Sequence, residues 1–382
     1  MARYLWLNWS GGGNLPPSLG IARALTERGH AVTFAGRPEM VPRVEAAGFR
    51  AIEFKQAYAQ ADRYPQGGPL TKAACYLTSP AMEAEARSIV AAEAPDAIII
   101  DGMFPAALAG APTFGRPTAV ACHTFVFRQL DRWRQMIERL NGMRQQAGFG
   151  SLPSLDALWQ STDRVIVTSA AAFDAAPEPG WGNVCHVGPV LEDEKIAVAT
   201  PLPWADDDRT PLVLISFSTA VEQRTLDKFQ RCLDAMAELP LHVVATTGGT
   251  VETQELKAPA NACVLRYAAH DPILRRAAVA VTHGGHGTAM RSLRHGVPMI
   301  VMPGLAHDQP CIAETVQKWG VGRALPGDAP VEVIRSAVQE VLSTPSYRKR
   351  AEARATALTN VDGAAVAADE IEELAAPACV AA

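Results

Sequence analysis

Residues 279–310 constrain the fold of this chain more than any other segment. The apolar run Val279–Val281 predicts a buried strand, and the glycine-rich stretch His283–Thr288 follows it directly. A helix is predicted from about Ala289 to Arg294, and a second apolar strand from Met299 to Met302. A strand, a glycine turn, a helix and another strand in this order predict a βαβ unit, which indicates an α/β fold.

The same segment carries groups suited to an anion and to a sugar. Glycines at the start of a helix let its free N–H groups approach an anion closely, and the helix dipole favours negative charge there. His283 and Thr288 flank this turn, while Asp308 and Gln309 follow the second strand and can bind sugar hydroxyls. A diphosphate joined to a sugar is the reacting part of a nucleotide-sugar donor.

Order and spacing in this segment resemble the donor-binding signature of the family-1 glycosyltransferases. The matching positions are His283-Gly-Gly-x-Gly-Thr288, Gly296-Val-Pro298, Pro303 and Asp308-Gln309. The remainder of the chain is similar to this family more loosely, over nearly its whole length. The resemblance implies the GT-B architecture, in which two Rossmann-like domains have parallel sheets that face each other across a cleft.

The resemblance also implies an activity. Members similar to this chain are bacterial macrolide and other natural-product glycosyltransferases, including those of antibiotic biosynthesis, and UDP-glycosyltransferases. We therefore expect a metal-independent, inverting transfer of a hexose from a UDP- or dTDP-sugar to a small apolar or aromatic acceptor. The co-substrate is the nucleotide sugar, and no further cofactor is expected.

Composition restricts the remaining classes. The 382 residues have a formal net charge of −5, which argues against nucleic acid as a partner. Seven cysteines without a C-x-x-C spacing favour a reducing cytoplasm. No apolar run approaches the roughly 20 residues that a membrane helix needs, and the apolar start of the chain is too short for a signal-peptide core. We expect a cytoplasmic monomer or homodimer.

Strand and helix patterns alternate in two series, separated by a proline-rich acidic stretch. Further strands are predicted at Tyr4–Trp9, Ala31–Ala35, Arg50–Phe54, Ala97–Ile100, Thr118–Cys122, Arg164–Thr168, Leu212–Ile215, His242–Thr246 and Cys263–Arg266. The predicted organisation is an acceptor-binding domain at 1–200, a linker at 201–211, a nucleotide-sugar-binding domain at 212–362, and a C-terminal helical segment at 363–382. In the family, that last segment packs back on the first domain.

The position of the expected catalytic base holds an unusual residue. Gly13–Pro17 aligns with a family pattern, glycine–histidine–x–x–proline, in which the histidine deprotonates the acceptor. Here the residue is Asn14, whose amide cannot take a proton at neutral pH. Two interpretations stay open at this stage: Asn14 caps the following helix, as asparagine does well, or it hydrogen-bonds the acceptor.

Two other side chains are candidates for the base. Asp101 closes a predicted strand, and the carboxyl ends of such strands face the ligand crevice. In the family an aspartate near this point supports the base histidine, so Asp101 could accept the proton itself; the alternative is a helix N-cap. His123 ends the next strand and titrates near neutrality, but a satisfied histidine at a sheet edge is equally consistent. Asp101 and His123 together could also form a dyad.

The resemblance assigns the other contacts. Ser218 and Thr219 fall in a turn that meets the diphosphate, together with His283, Gly285, Gly287 and Thr288. Tyr267 occupies the place of a base-stacking tryptophan and His270 that of a glutamine, although core packing would also explain Tyr267. In plant members, the position of Arg291 holds a glutamate that binds ribose. Arginine cannot accept hydrogen bonds from ribose hydroxyls, so the identity of the nucleotide stays open. Phe125, Phe127 and the segment from about Tyr58 to Tyr76 are expected to bind the acceptor.

Alternative chemistries are less well supported. His283 and His286 form an H-x-x-H pair, but zinc needs three or four convergent ligands, and the glycines suit an anion better. The acidic run Asp206–Asp208 matches a metal-binding D-x-D pattern but lies in the predicted linker. Two other functions keep the fold: a nucleotide-sugar epimerase and a non-catalytic sugar-nucleotide-binding protein. The second is motivated by Asn14.

Overall fold

The chain folds into two α/β units, each built around a parallel sheet. The computed structural model describes residues 1–9, 12–61, 77–174, 180–191, 202–205, 207–218, 225–304 and 308–376. The first unit comprises Met1–Glu192 and Asp362–Ala382, and the second comprises Asp193–Val361. The division between the units thus falls ahead of the predicted linker at 201–211, and the chain returns to the first unit at Asp362.

The strands agree with the predicted ones to within two residues at either end, and two short strands are additional. They are β1 Arg3–Asn8, β2 Ala31–Gly36, β3 Arg50–Glu53, β4 Ala97–Asp101, β5 Thr118–Cys122, β6 Arg164–Val167, β7 Val184–His186, β8 Leu212–Ser216, β9 His242–Thr246, β10 Ala262–Leu265, β11 Ala277–Thr282, β12 Met299–Val301 and β13 Gly322–Ala324. The two that the sequence patterns missed, β7 and β13, are edge strands of three residues each.

Helices connect the strands. They are α1 Leu15–Glu27, α2 Val41–Ala46, α3 Lys55–Ala61, α4 Pro80–Glu93, α5 Pro105–Gly110, α6 Leu130–Gln146, α7 Leu155–Gln160, α8 Leu226–Met236, α9 His270–Leu274, α10 His286–Arg294, α11 Asp308–Trp319, α12 Val331–Ser343, α13 Pro345–Thr359 and α14 Gly363–Ala375. None of the described helices is both long and apolar enough to cross a bilayer.

Both sheets have the same winding. The first has the order β3-β2-β1-β4-β5-β6-β7 and the second β10-β9-β8-β11-β12-β13. In each, the strand order reverses once, between β1 and β4 and between β8 and β11. Ligands of open parallel sheets bind outside the carboxyl ends of the strands at such a reversal. Topology alone therefore places one candidate crevice at the end of β1 and β4, and a second at the end of β8 and β11.

The apolar strand sequences explain why both faces of each sheet are covered. Ile98, Ile99 and Ile100 of β4 are fully buried, although successive side chains point to opposite faces. One face of the first sheet packs against α4 to α7, and the other against α1 and α14. Ile371 of α14 is fully buried there, so the C-terminal helix contributes to the core of the first unit.

Candidate active site

Asp101 is a buried carboxyl at the strand-order reversal of the first sheet. It is the last residue of β4, and its side chain is 1% exposed. Oδ1 accepts a hydrogen bond from the Met103 N–H at 2.9 Å, and Oδ2 accepts one from the Trp9 N–H at 3.3 Å. Burial raises the pKa of Asp101 to about 7, against the opposing effect of its hydrogen-bond donors. The carboxyl therefore exchanges its proton near neutral pH, as a general base must.

Asn14 is a direct partner of Asp101. Its Nδ2 donates to Oδ1 at 3.3 Å and to Oδ2 at 3.1 Å. Its own backbone is helical, and its side chain makes no cap hydrogen bond to α1. The helix-capping interpretation is therefore wrong: the amide holds the carboxylate. Because it donates to the ionised form, Asn14 lowers the pKa of Asp101 relative to an undonated carboxyl in the same place.

His123 follows β5 and is also buried, with 8% of its surface exposed. Its Nε2 lies 2.9 Å from the Ser18 hydroxyl, and its Nδ1 lies 3.4 Å from that of Thr168. Among the described residues, the hydrogen bonds of Asp101 go to Trp9, Asn14 and Met103, so the hypothetical direct dyad of Asp101 and His123 is absent.

Ser18 connects the two candidates indirectly. Its hydroxyl donates to the backbone oxygen of Asn14 at 3.0 Å and accepts from the Asn8 amide at 2.8 Å. A hydroxyl has one proton, so when Ser18 donates to Asn14 the proton between Ser18 and His123 is on the imidazole Nε2. In that arrangement His123 orients Ser18 as a donor, and its Nε2 carries a proton rather than accepting one.

The predicted acceptor residues differ in exposure. Phe125 has no exposed surface, whereas Phe127 is half-buried and contacts the Trp181 ring edge-on at 5.3 Å between centroids. The buried Asp174 fixes this segment by accepting the N–H of Phe127 at 2.9 Å and of two neighbours. Of the two phenylalanines, only Phe127 presents surface to an acceptor. Residues 62–76 of the predicted acceptor segment lie outside the described residues.

The glycine turn of the second unit leads into α10 at the reversal between β8 and β11. Gly284 has φ of +85°, and a Cβ there would lie 2.8 Å from Val301. Gly285 is the N-cap and makes no side-chain cap. At Gly287 a Cβ would meet nothing within 4 Å. No side chain at Gly285 or Gly287 shields the first turn of α10, and the unbonded N–H groups of a helix start suit an incoming anion.

His283 lies against this turn as a neutral imidazole. Burial, and secondarily the charge of Lys228, lower its pKa to about 4, and it is hydrogen-bonded to the backbone of Ser216. A neutral imidazole has one N–H, so the nitrogen that does not donate to Ser216 is an acceptor. Positive charge on His283, as a counterion for phosphate, is thus not present in the free protein at neutral pH.

Ser218 follows β8 and is buried, while Thr219 lies outside the described residues. The Thr288 side chain, in the first turn of α10, is half-buried and forms no side-chain hydrogen bond with a described residue. All three remain predicted contacts of the diphosphate.

Tyr267 and His270 lie beyond the end of β10. Tyr267 is 47% exposed, so the interpretation as core packing is wrong. Arg266 lies 5.8 Å above its ring, and Gly249 is close enough that a Cβ would come within 2.5 Å of the phenol oxygen. The Nε2 of His270 lies 3.0 Å from the Thr246 hydroxyl. Burial lowers the pKa of His270 to about 4, with Arg291 adding to the effect.

Arg291 is bound within the protein. It pairs with Asp271 at 2.8 Å, and His295 binds the other oxygen of that carboxylate at 2.7 Å. These contacts give Arg291 a structural role next to the predicted nucleobase-binding residues.

Asp308 and Gln309 begin α11 just after the undescribed residues 305–307. Asp308 is half-buried, whereas Gln309 is 2% exposed. The Oε1 of Gln309 accepts the Gly304 N–H at 2.6 Å, so this oxygen already has a partner within the protein. The carboxylate of Asp308 is the more exposed of the two predicted sugar ligands.

The predicted donor contacts lie in a definite order along the edge of the second sheet. Tyr267 follows β10, Ser218 follows β8, His283 follows β11, and Asp308 follows the segment after β12. With strands about 4.8 Å apart, β10 and β12 are separated by roughly 19 Å. The predicted contacts of the nucleobase, the diphosphate and the sugar therefore follow the covalent order of a nucleotide sugar.

Metal-ligand clusters of three or more His, Cys, Asp or Glu side chains are absent from the described part of the chain. Of the acidic run 206–208, Asp208 binds His242 at 2.7 Å. Asp206 lies outside the described residues.

Sequence reasoning missed two polar residues of these sites, Ser18 and Lys228. Ser18 lies one helical turn after Asn14, a spacing that places both on one helix face. The only sequence signal for Lys228 is its position in the first turn of a helix, where the helix dipole disfavours positive charge.

Comparison with known proteins gives two family matches, one mainly in the second unit with an extension into α14, and one in the first unit. The Erythromycin biosynthesis protein CIII-like, C-terminal domain model matches residues 230–374. The Glycosyl transferase 4-like domain model matches residues 18–184.

Similar proteins match over nearly the full length. The NDP-glycosyltransferase YjiC of Bacillus licheniformis is 26% identical over 96% of this chain and 96% of its own length. The demethyllactenocin mycarosyltransferase of Streptomyces fradiae is 26% identical over 96% of this chain and 85% of its own. The solved structure of the glycotransferase of kitacinnamycin superposes with a TM-score of 0.78 at 24% identity, covering 98% of both chains.

Proposed function

We infer that this chain, which belongs to the family-1 glycosyltransferases of the GT-B fold, transfers a sugar with inversion from a UDP- or dTDP-sugar to a small apolar or aromatic acceptor. The observation that carries this proposal is the glycine turn that leads into α10 at the reversal between β8 and β11, with the exposed Tyr267 ring after β10 and the Asp308 carboxylate after β12. An acceptor of the natural-product type is suggested by the relatives, one of which is named a mycarosyltransferase.

The second unit binds the donor in this proposal. The base stacks on Tyr267 beside His270, and the diphosphate lies on the first-turn amides of α10 with the Thr288 hydroxyl. Asp308 and Gln309 hold sugar hydroxyls. As the anomeric C–O bond breaks, the electron pair leaves with the nucleoside diphosphate, and fixed amide dipoles stabilise that charge without a metal ion.

The first unit supplies the base. The acceptor oxygen bonds to the anomeric carbon on the side opposite the diphosphate, and its proton passes to the Asp101 carboxylate. Asn14 orients this carboxylate and favours its ionised form. Because one displacement occurs, the product anomer is inverted relative to the donor.

The test is a donor and acceptor panel on the full chain. UDP- and dTDP-sugars are screened by thermal shift, and stabilising donors are incubated with phenolic and macrolide acceptors. Product mass is measured by mass spectrometry, and anomeric configuration by NMR. A donor converted to an isomeric sugar nucleotide without acceptor would favour the epimerase, and donor binding without product from any acceptor would favour the auxiliary protein. Retained configuration would reject inversion.

A further inference from the structure

Lys228 is a buried cation whose placement needs an explanation. It is the third residue of α8 and is 8% exposed. Its Nζ donates to the Met302 carbonyl at 3.0 Å and lies 5.5 Å from the centre of the Phe217 ring. Within the described residues, no carboxylate oxygen forms an ion pair with it. Fully buried lysines without an anionic partner are rare, because desolvating the charge is costly.

The ammonium reaches the carboxyl ends of three adjacent strands. Phe217 follows β8, Met302 follows β12, and the charge of Lys228 acts on His283, which follows β11. Gly327 makes room on the remaining side: a Cβ there would lie 2.4 Å from the Pro303 oxygen and 3.4 Å from Nζ. The cation thus contacts residues that follow β8 and β12, the two strands on either side of β11, after which the glycine turn lies.

Neither the helix nor its packing requires a cation here. The remaining buried face of α8 is mainly apolar, with Phe229, Cys232, Leu233 and Met236. The first turn of a helix disfavours positive charge, and burial lowers the pKa of Lys228. A carbonyl and an aromatic ring contact the ammonium, but no carboxylate of the described residues pairs with it. An anionic ligand near this cation would therefore lower the cost of burying it.

We propose that Lys228 is the counter-charge of the donor site, a positioning residue whose ammonium acts across His283 on the diphosphate of the bound nucleotide. The neutral His283 supplies no charge of its own, so the field of Lys228 offsets that of the phosphates and of the departing nucleoside diphosphate. This inference rests on the proposed donor site.

The test compares Lys228→Met with the wild-type chain. Methionine is apolar and of similar length, so the free variant should be as stable as the wild type or more so, since an unpaired buried charge is removed. Affinity is measured by calorimetry for a nucleoside, its monophosphate and its diphosphate. We expect nucleoside affinity to stay within about twofold and diphosphate affinity to fall roughly tenfold or more, because Coulomb energy grows with ligand charge. Lys257→Met, at an exposed position, is the matched control and should change none of the three.

Each outcome decides the matter. Equal losses for all three ligands, or none, would show that Lys228 serves only the packing and would overturn the proposal. If Lys228→Met does not fold, Lys228→Gln, which keeps a donor for Met302, is measured in the same way. Failure of both to fold would also overturn it, because the ammonium would then be needed by the free protein. A wild-type chain that binds no nucleoside diphosphate would reject the donor site itself, whereas normal binding and transfer by Lys228→Met would reject this inference alone.

Discussion

At the scale of single residues, the proposed role of the buried Asp101 carboxyl as the base predicts an activity that depends on pH. Its pKa is raised to about 7 by burial, and a base must be ionised to accept a proton. With saturating donor, kcat/KM for the acceptor should therefore rise with pH and level off above about 7. Asp101→Asn should lower kcat/KM roughly 10²- to 10⁴-fold and abolish the rise of kcat/KM with pH, which is the acid limb of the profile. An unchanged limb in the variant would assign the titration to another group.

Asn14 offers a finer test of the same carboxyl. Its amide donates to both oxygens and holds the pKa of Asp101 down. Asn14→Ala should therefore move the acid limb of the kcat/KM profile to higher pH, so the loss of activity is largest at low pH. Ser18→Ala is the control, because it removes a hydroxyl that binds His123 and the Asn14 backbone but removes no donor to Asp101, so the rise of kcat/KM with pH should stay in place. A uniform loss at every pH in Asn14→Ala would contradict the electrostatic role.

These residues mark the limit of sequence reasoning. Asp101 could be placed because a strand pattern ends there, and strand ends face ligands in parallel sheets. Its contact with Asn14 could not, because 87 residues separate the two in sequence and pattern analysis reads only local periodicity. The same holds for Lys228, whose distance from Met302 is 74 residues.

At the scale of elements, the glycine turn before α10 separates folding from binding. Gly284 needs its positive φ, and a Cβ would lie 3.0 Å from the Gln309 backbone oxygen, so Gly284→Ala should destabilise the fold by about 1–3 kcal/mol. Gly287 has open space around it, so Gly287→Ala should leave the melting temperature unchanged or slightly raised. It should nevertheless weaken nucleoside diphosphate binding about tenfold, because a methyl group blocks close approach to the amides.

Thermal melting and calorimetry with the two variants check this contrast. Gly287→Ala with full affinity would place the anion elsewhere.

The start of α10 also shows why element boundaries were harder to predict than elements. The helix was expected from about Ala289, because glycines disfavour helix, but it begins at His286: the tertiary fold overrides propensity in this first turn. The edge strands β7 and β13 were not predicted, because a strand of three residues is too short to show a recognisable apolar pattern.

At the scale of the whole molecule, the chain returns to its first unit through α14. This helix packs on α1 and buries Ile371 completely. Arg28 binds Asp369 at 2.6 Å and Glu372 at 2.8 Å, but these pairs are exposed and each contributes less than about 1 kcal/mol. Apolar burial therefore dominates, and the sequence could indicate it only through the helical spacing of Ala367, Ala368 and Ile371.

Ile371→Ala should accordingly destabilise the first unit by about 2–5 kcal/mol. We expect thermal unfolding to show two transitions, of which the variant lowers one and a nucleoside diphosphate raises the other, because the proposed donor contacts belong to the second unit. Glu373→Ala changes an exposed residue of the same helix and should shift stability by no more than about 0.5 kcal/mol. If the ligand raised the same transition that Ile371→Ala lowers, the two units would unfold as one, and the assignment of α14 to the stability of the first unit alone would fail.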